Sequence, residues 1–237
     1  MNKKIGILII GLIIIFAIIM GVFLYQRMLT ASQEDTAEKG QFIEIPNTDE
    51  EVKITDITRA SVGDNVILGD YEGEITWKVL DERKDSLLLI STNCIAQRAY
   101  HNEDTAVTWE ESEIRKWLNE TFYDKAFSED DKAILLKTKV SNQDNEEFDT
   151  KAGKDTNDYV FLLSLAEADQ YFSETSERAA SLADGTGVWW WLRSPGFQEN
   201  DAANVGDYGS INKAGHKVYD KYVVNGGVRP VIWIRKN

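Results

Sequence analysis

The feature that most constrains this chain is an uncharged, apolar run close to its N-terminus. Residues 5–25 read IGILIIGLIIIFAIIMGVFLY. A helix needs about 20 such residues to cross about 30 Å of hydrocarbon, so the run predicts one membrane-spanning helix. Lys3 and Lys4 precede it and the chain turns acidic beyond Arg27. Because basic residues favour the cytoplasmic side, we expect the N-terminus inside and the rest outside the cell membrane.

A cleaved signal peptide is the alternative interpretation of this run. The apolar part of a signal peptide spans only ~7–15 residues and ends at a small-residue site of the A-x-A type. The best candidate for such a site is Leu29–Ser32, which fits poorly. No cysteine directly follows it, so a lipid anchor is not indicated either. The sequence favours an uncleaved anchor.

The chain divides into three predicted parts. Residues 1–27 form the cytoplasmic tip and the anchor. Residues 28–60 are polar and without clear pattern, which predicts a stalk. Residues 61–237 then form one extracytoplasmic globular domain, long enough to bury a core of its own.

The portion outside the membrane is strongly acidic. Lys3, Lys4 and Arg27 account for three of the 26 basic residues, and all 40 acidic residues follow them, so this portion carries about −17. Such a charge excludes nucleic acid as a partner, and it is commonly a solubility feature. The alternative interpretation of the acidic residues is calcium binding, with 144–147 and 155–158 as candidate ligands. Neither cluster has the spacing of a twelve-residue calcium loop, so no metal and no cofactor is predicted.

The single cysteine, Cys94, excludes an internal disulfide. It follows the apolar run Leu87–Ile90 and precedes Ile95. These neighbours predict a buried thiol that packs in the core, with a catalytic thiol as the less favoured alternative.

Local patterns predict both strands and helices. Alternation over Ile75–Val79 and the apolar run Leu87–Ser91 predict a hairpin. Capping patterns predict helices that begin at Thr108, Ser128 and Ser164. The apolar face of the first helix comprises Ile114, Trp117, Leu118, Thr121 and Phe122.

Two glycine-containing motifs lie in the last fifty residues. The first is Trp191-Leu192-Arg193-Ser194-Pro195-Gly196, and the second is Gly227-Val228-Arg229-Pro230. Together with ITWKVL at 75–80 and IRKWLN at 114–119, they resemble a bacterial domain of unknown function that is common on Gram-positive surface proteins. The Gly-Val-Arg-Pro ending is also similar to C-type-lectin-like domains of the formylglycine-generating, sulfatase-modifying kind. The resemblance implies an α+β fold, compact and lectin-like, with small twisted antiparallel sheets, a few helices and long irregular loops.

The two motif arginines have apolar neighbours, so we expect them to be buried and to need acceptors. Arg193 and Arg229 would then hold the C-terminal loops by hydrogen bonds, with Asp207 or Asp220 as partners. In Trp189-Trp190-Trp191, strand alternation turns the middle ring away from its neighbours. We therefore expect Trp189 and Trp191 in the core and Trp190 partly exposed.

Exposed aromatic rings in this region would provide a platform for a sugar ring or a protein side chain. The candidate ligand contacts are Trp190, Tyr208, Asn212, Tyr219 and Tyr222. The alternative is that Trp190 is a partly exposed neighbour of the core without a ligand.

The sequence contains few residues in patterns typical of a catalytic site. Nothing activates Cys94 beside His101 or His216, and a formylglycine-generating oxidase uses a pair of cysteines where this chain has one. No pair of carboxylates stands out among forty. We therefore expect a non-catalytic recognition or assembly module for a surface polysaccharide or a protein. The alternatives are a hydrolase with a carboxylate pair and a structural subunit of a membrane complex, for which Gly6, Gly11 and Gly21 offer a weak helix seam. The sequence sets no oligomeric state.

Overall fold

The computed structural model describes residues 53–54, 57–221 and 226–236, which belong to one compact unit, Glu51–Asn237. The predicted anchor, most of the predicted stalk and Tyr222 lie outside the described residues. No helix within residues 57–221 or 226–236 is both long and apolar enough to span a bilayer.

The described strands are short and numerous. In chain order they are β1 (Lys53–Ile54), β2 (Asn65–Asp70), β3 (Glu74–Arg83), β4 (Ser86–Ser91), β5 (Ala96–Gln97), β6 (Leu135–Leu136), β7 (Thr138–Val140), β8 (Thr156–Asp158), β9 (Val160–Phe161), β10 (Trp190–Pro195), β11 (Asp201–Val205), β12 (Ile211–Lys217), β13 (Gly227–Val228) and β14 (Val231–Arg235).

The described helices are shorter than most globular helices. They are α1 (Glu113–Trp117), a π-helical turn (Leu118–Phe122), α2 (Tyr123–Ala126), α3 (Glu129–Ile134), α4 (Leu165–Gln170) and α5 (Thr175–Arg178), with 3-10 turns at Ile57–Arg59 and Trp109–Glu111.

Within the described residues, the strands form three sheets. The largest has the order β1-β2-β3-β4-β14-β6, and β9 also pairs with β14. The second has the order β12-β11-β10-β13-β5, and β7 pairs with β8. The fold is therefore a mixture of helices and sheets that is mostly β, which confirms the α+β prediction at this level.

The predicted hairpin of β3 and β4 is confirmed. The strands are antiparallel, with Arg83 opposite Ser86 and Trp77 opposite Ser91. Strand β14 pairs with the other edge of β4, and both strands are buried along most of their length. The apolar run Leu87–Ile90 therefore occupies the centre of the largest sheet. At the opposite edge, β1 pairs in parallel with β2, so the sheet includes residues of the segment predicted as a stalk.

The capping predictions have mixed outcomes. Ser128 and Ser164 cap α3 and α4 through complete capping boxes, as predicted. The prediction for Thr108 was wrong, because its side chain makes no capping bond and only a 3-10 turn follows it. The Ser112 hydroxyl instead accepts the Arg115 N–H and begins α1. Ser112 does this because its hydroxyl also donates to the Trp109 carbonyl, which fixes the side chain at the helix start.

The core extends over both large sheets and is rich in aromatic rings. Its largest fully buried side chains include Trp77, Trp109, Trp190, Trp191, Tyr100, Phe122 and Phe172. Four of the five residues of the predicted helix face are buried, and Thr121 is exposed. Cys94 is buried, as predicted, and this burial raises the pKa of its thiol to about 12. The Cys94 thiol therefore stays protonated at neutral pH and is expected to be unreactive.

Candidate functional site

The predicted exposure of Trp190 was wrong. Trp190 is 0% exposed, and its indole N–H donates to the Arg178 carbonyl over 2.9 Å. All six residues of β10 are buried, because other parts of the domain cover both faces of this strand. Alternation therefore does not bring the middle tryptophan to the surface. Trp189, just before the strand, is the half-buried member, and its ring meets that of Trp191 edge-on at 4.6 Å.

The other predicted ligand contacts do not form one platform. Tyr208 is 82% exposed on a turn, and Tyr219 is half-buried, with no ring contact between them among the described residues. The Asn212 amide donates to Asn204 Oδ1 over 3.0 Å and to the Gly215 carbonyl over 3.3 Å. Asn212 therefore stabilises the bend of β12. Tyr222 lies outside the described residues.

Arg193 is buried and hydrogen-bonded, as predicted, but its carboxylate partner is Glu167 and not Asp207 or Asp220, and it binds α4 and earlier segments of the chain rather than the C-terminal loops. Both terminal nitrogens of the Arg193 guanidinium bind the Glu167 carboxylate, with Nη2 at 3.0 Å from Oε1. The same side chain donates to the carbonyls of Leu162 over 2.7 Å and Ser141 over 2.9 Å. This forked, charge-assisted pair fixes α4 against β10.

Arg229 is also buried, and backbone carbonyls accept its hydrogen bonds. Its Nε donates to Ser91 over 2.8 Å and its Nη1 to Arg178 over 3.3 Å. The guanidinium lies 5.2 Å from the centre of the Trp190 ring, which adds a cation–π contact. Burial lowers the pKa of Arg229 to about 10. The second motif therefore stabilises the junction between the two large sheets.

A cleft of about 970 Å³ opens beside the first motif. We call it the loop cleft, because the loop 141–150 forms one wall, with α4 and β12 around it. Its lining residues are Asn142, Gln143, Asp144, Asn145, Glu146, Glu147, Leu165, Ala166, Asp169, Arg178, Ser194, Ile211 and Lys213.

The buried residue Asn145 fastens this loop to two strands. Its amide nitrogen donates to the Pro195 carbonyl over 2.9 Å and to the Lys213 carbonyl over 3.0 Å. Asn145 also pairs through its backbone with Thr150, whose hydroxyl donates to the Gly196 carbonyl over 2.7 Å. The end of the Trp-Leu-Arg-Ser-Pro-Gly motif thus holds the wall of the loop cleft in place.

The four carboxylates of the loop cleft differ in their surroundings. Asp144 accepts the Ala152 N–H and lies 3.1 Å from Lys151, which together lower its pKa. Glu147 pairs with Lys213 at 3.0 Å. In the part of the chain that the structure describes, no hydrogen bond or ion pair engages the other two.

These two are Glu146 and Asp169, the first in the loop and the second on α4. Two exposed carboxylates on different walls therefore line the cleft, and no described residue pairs with either. The sequence indicated 144–147 only as candidate calcium ligands and did not predict this cleft, because the loop has no periodic pattern that shows which segments pack beside it.

A family model described as a domain of unknown function (DUF6273) matches residues 84–236. The chain belongs to the DUF6273 family. The match includes both glycine-containing motifs and every residue of the loop cleft, while β1, β2 and β3 precede it. No curated protein and no solved structure matches the chain.

The DUF6273 domain carries an aromatic pair that joins the half-buried Phe148 of the same loop to the exposed Phe197. Phe148 and Phe197 meet edge-on with ring centres 5.2 Å apart, and Phe197 is 53% exposed. Phe197 lines a second depression of about 490 Å³ together with Asp149, Gln198 and Asn200. The sequence offered one signal, since Phe197 directly follows the first motif, but its exposure could not be read from it.

Most carboxylates of the two predicted calcium clusters of the DUF6273 domain pair with protein cations. In 144–147, Asp144 pairs with Lys151 and Glu147 with Lys213, whereas Glu146 has no such pair among the described residues. Asp155 lies 2.9 Å from Lys139, and the buried Asp158 lies 2.7 Å from Arg115. Within the described ranges, no three His, Cys, Asp or Glu side chains group closely enough to hold a metal ion.

Proposed function

We propose that this DUF6273 chain is a membrane-anchored recognition module that binds a polysaccharide outside the cell and performs no catalysis. The uncharged run at 5–25 anchors it, and the acidic domain faces outward on a Gram-positive surface. Its fold is of the C-type-lectin-like kind, with short strands and long loops. The observation that carries the proposal is the loop cleft, which has polar side chains inside, together with the Phe148–Phe197 pair, of which Phe197 is exposed.

The size of the loop cleft, its polar lining and the nearby aromatic ring together suit a sugar ligand. The loop cleft, at about 970 Å³, matches the size of small-ligand sites, which run to about 1,000 Å³. Its carboxylates and amides can receive the hydroxyl groups of a sugar. The exposed face of Phe197 offers apolar contact to the C–H face of a pyranose ring.

A carbohydrate-active hydrolase is the second candidate, and one observation favours it. Glu146 and Asp169 line the same cleft, no residue that the structure describes pairs with either, and glycosidases use two carboxylates. A general acid needs a raised pKa, however, while the pKa of the neighbouring Asp144 is lowered. Turnover of any bound glycan that disappears in Glu146→Gln and in Asp169→Asn would favour the hydrolase over the binding module.

The first experiment is a glycan-array and wall-polysaccharide screen of the full chain in mild detergent. We expect Phe197→Ala to weaken binding about tenfold, because it removes the exposed ring. Tyr208→Ala is the matched control, since it removes a more exposed ring that lines neither the loop cleft nor the depression at Phe197, and it should bind as the parent does. Addition of a calcium chelator should leave binding unchanged.

A glycan that binds in this screen also tests whether the domain lies outside the cell. On intact cells that carry the chain, the labelled glycan should bind, and protease added outside should remove this binding. A full chain that binds no polysaccharide in either setting overturns the proposal and favours a protein partner. Equal loss in Phe197→Ala and Tyr208→Ala would show that binding does not depend specifically on the Phe148–Phe197 pair.

A further inference from the structure

We propose that a gap between strands β3 and β5 binds an extended segment of a partner protein, in which apolar and basic residues alternate. The segment adds a strand to the edge of β5 and places apolar side chains in the gap. This surface shares no lining residue with the loop cleft or with the depression at Phe197, so it is separate from the proposed polysaccharide site. Three observations carry the inference: the separation of two strands, an edge strand and the chemistry of the lining.

The first observation is the point where β3 and β4 separate. Within the described residues, the last backbone bond between them runs from the Thr92 N–H to the Thr76 carbonyl over 2.9 Å. The Cys94 N–H donates instead to the Ser181 carbonyl over 2.9 Å, and the chain continues into β5 of the second sheet. A cavity of about 440 Å³ opens where the two strands part. We call it the strand fork.

The second observation is a sheet edge at this cavity. Among the described residues, β5 pairs with β13 alone and is therefore the edge of its sheet. Both of its residues, Ala96 and Gln97, line the strand fork. An edge strand presents backbone N–H and C=O groups at a regular spacing, and an extended peptide can pair with them. A polysaccharide has no backbone of this kind, so the edge favours a peptide.

The third observation is the chemistry of the lining. Three of its side chains are apolar and buried or partly buried, namely Ile75, Ile95 and Leu182. Three others are exposed carboxylates, namely Glu72, Glu74 and Asp184. The described lining contains no lysine, arginine or histidine. Successive side chains of a strand point to opposite sides, so a segment that alternates can direct apolar side chains into the fork and basic ones toward the carboxylates.

The same charges disfavour a second copy of this chain as the occupant. Each chain carries a net charge of −14, and the strand fork itself offers no cation among its described residues. Two copies would therefore repel each other at this face, whereas a basic segment is attracted to it.

The test uses the peptide Lys-Val-Lys-Val-Lys with blocked ends and two N-methylated isomers of it. One isomer is methylated at both valine backbone nitrogens, and the other at two of the lysine backbone nitrogens. Successive N–H groups of a strand point to opposite neighbours, so only one isomer loses its bonds to β5. With the full chain in mild detergent, we expect that isomer to bind at least about tenfold more weakly than the parent peptide, and the other to bind within about threefold. All three peptides carry the same charge, so general attraction to an acidic chain affects them equally.

A pair of charge-matched variants tests the location. Glu72→Gln/Glu74→Gln should weaken binding of the parent peptide about fivefold, because it removes two carboxylates beside the fork. The control Glu103→Gln/Glu111→Gln removes the same charge from two exposed residues that do not line the fork, and it should lose less than about twofold. Thermal melts confirm that both variants remain folded.

The contrary outcomes are distinct. Equal binding of the two isomers overturns the inference, because pairing with an edge strand must distinguish them. Equal losses in the two double variants overturn it as well, because the attraction is then not local to the strand fork. Absence of binding by the parent peptide also overturns it, and self-association of the chain in sedimentation would then identify a second copy as the occupant. Polysaccharide binding is measured separately with Phe197→Ala, so these results leave that proposal untouched.

Discussion

Arg193 illustrates how one residue connects segments that are distant in sequence. Its guanidinium binds Glu167 on α4 and the carbonyls of Ser141 and Leu162, and its own carbonyl accepts the Tyr100 hydroxyl over 3.1 Å. The loop 141–150 and α4 are therefore positioned from a single strand. The geometry of the loop cleft depends on this connection.

At the same scale, the two aromatic residues of interest should respond in opposite ways. Trp190→Ala should lower the free energy of unfolding by about 3–5 kcal/mol, because it empties a fully buried site. Phe197→Ala should change it by less than about 1 kcal/mol, because the ring is half exposed. Urea unfolding of both variants measures the difference. Similar losses would contradict the assignment of Trp190 to the core and Phe197 to the surface.

The sequence predicted which side chains need hydrogen-bond partners, but it did not predict which residues those partners are. A guanidinium among apolar neighbours must find acceptors, so the structural role of Arg193 could be predicted. Glu167 could not be selected as its partner, because the pairing depends on how α4 packs on β10. The prediction that Trp190 is exposed was wrong for a related reason. Alternation assumes that one face of the strand is open to solvent, and both faces of β10 are covered.

Among the elements, the turn between β11 and β12 is held closely against α5. Gly209 has a φ of +88°, and a side-chain carbon there would lie 1.8 Å from the Thr175 carbonyl oxygen. Gly209→Ala should therefore destabilise the domain by about 3 kcal/mol, through backbone strain and a clash. Thermal and urea unfolding measure the loss.

Gly185 provides the matched control for this turn. Its φ of +85° is nearly the same, but a side-chain carbon there would meet open space. Gly185→Ala should cost only about 1–2 kcal/mol, which is the backbone strain alone. If both substitutions destabilise equally, close packing of the turn on α5 is not what requires Gly209.

Elements with local signals were the most predictable. The β3–β4 hairpin and the caps of α3 and α4 follow from alternation and from short capping patterns within a few residues. The loop cleft has no such signal, because its walls come from three segments that meet only in the folded domain. The loop cleft forms because these segments pack together in the tertiary structure, and local sequence preferences do not specify that packing.

For the whole molecule, alkaline pH should be destabilising. The pKa of Cys94 rises from its ordinary value of 9.0 to about 12, and burial raises that of Tyr100 as well. The folded state thus keeps protons that the unfolded state has released, so stability is complete below about pH 9 and falls as the pH rises toward 12. Arg229 acts in the opposite direction, but only above about pH 10, where its folded form loses its proton first.

Thermal melts between pH 8 and pH 11, with a thiol reductant present, measure this dependence. Cys94→Ala should have a lower melting temperature at pH 8, because packing is lost, but a shallower decline above pH 9. Parallel declines in the variant and the parent would show that the buried thiol does not contribute.

The position of β14 has a consequence for how the domain is made. Residues 231–235 form the strand that joins β4 to β6 and β9, so the largest sheet has no centre until they are present. During synthesis, more than a hundred residues leave the ribosome between β4 and the partner that covers it. The exposed edge of β4 must wait through that interval, and a ribosome that stalls before residue 231 leaves a nascent chain that holdase chaperones can bind.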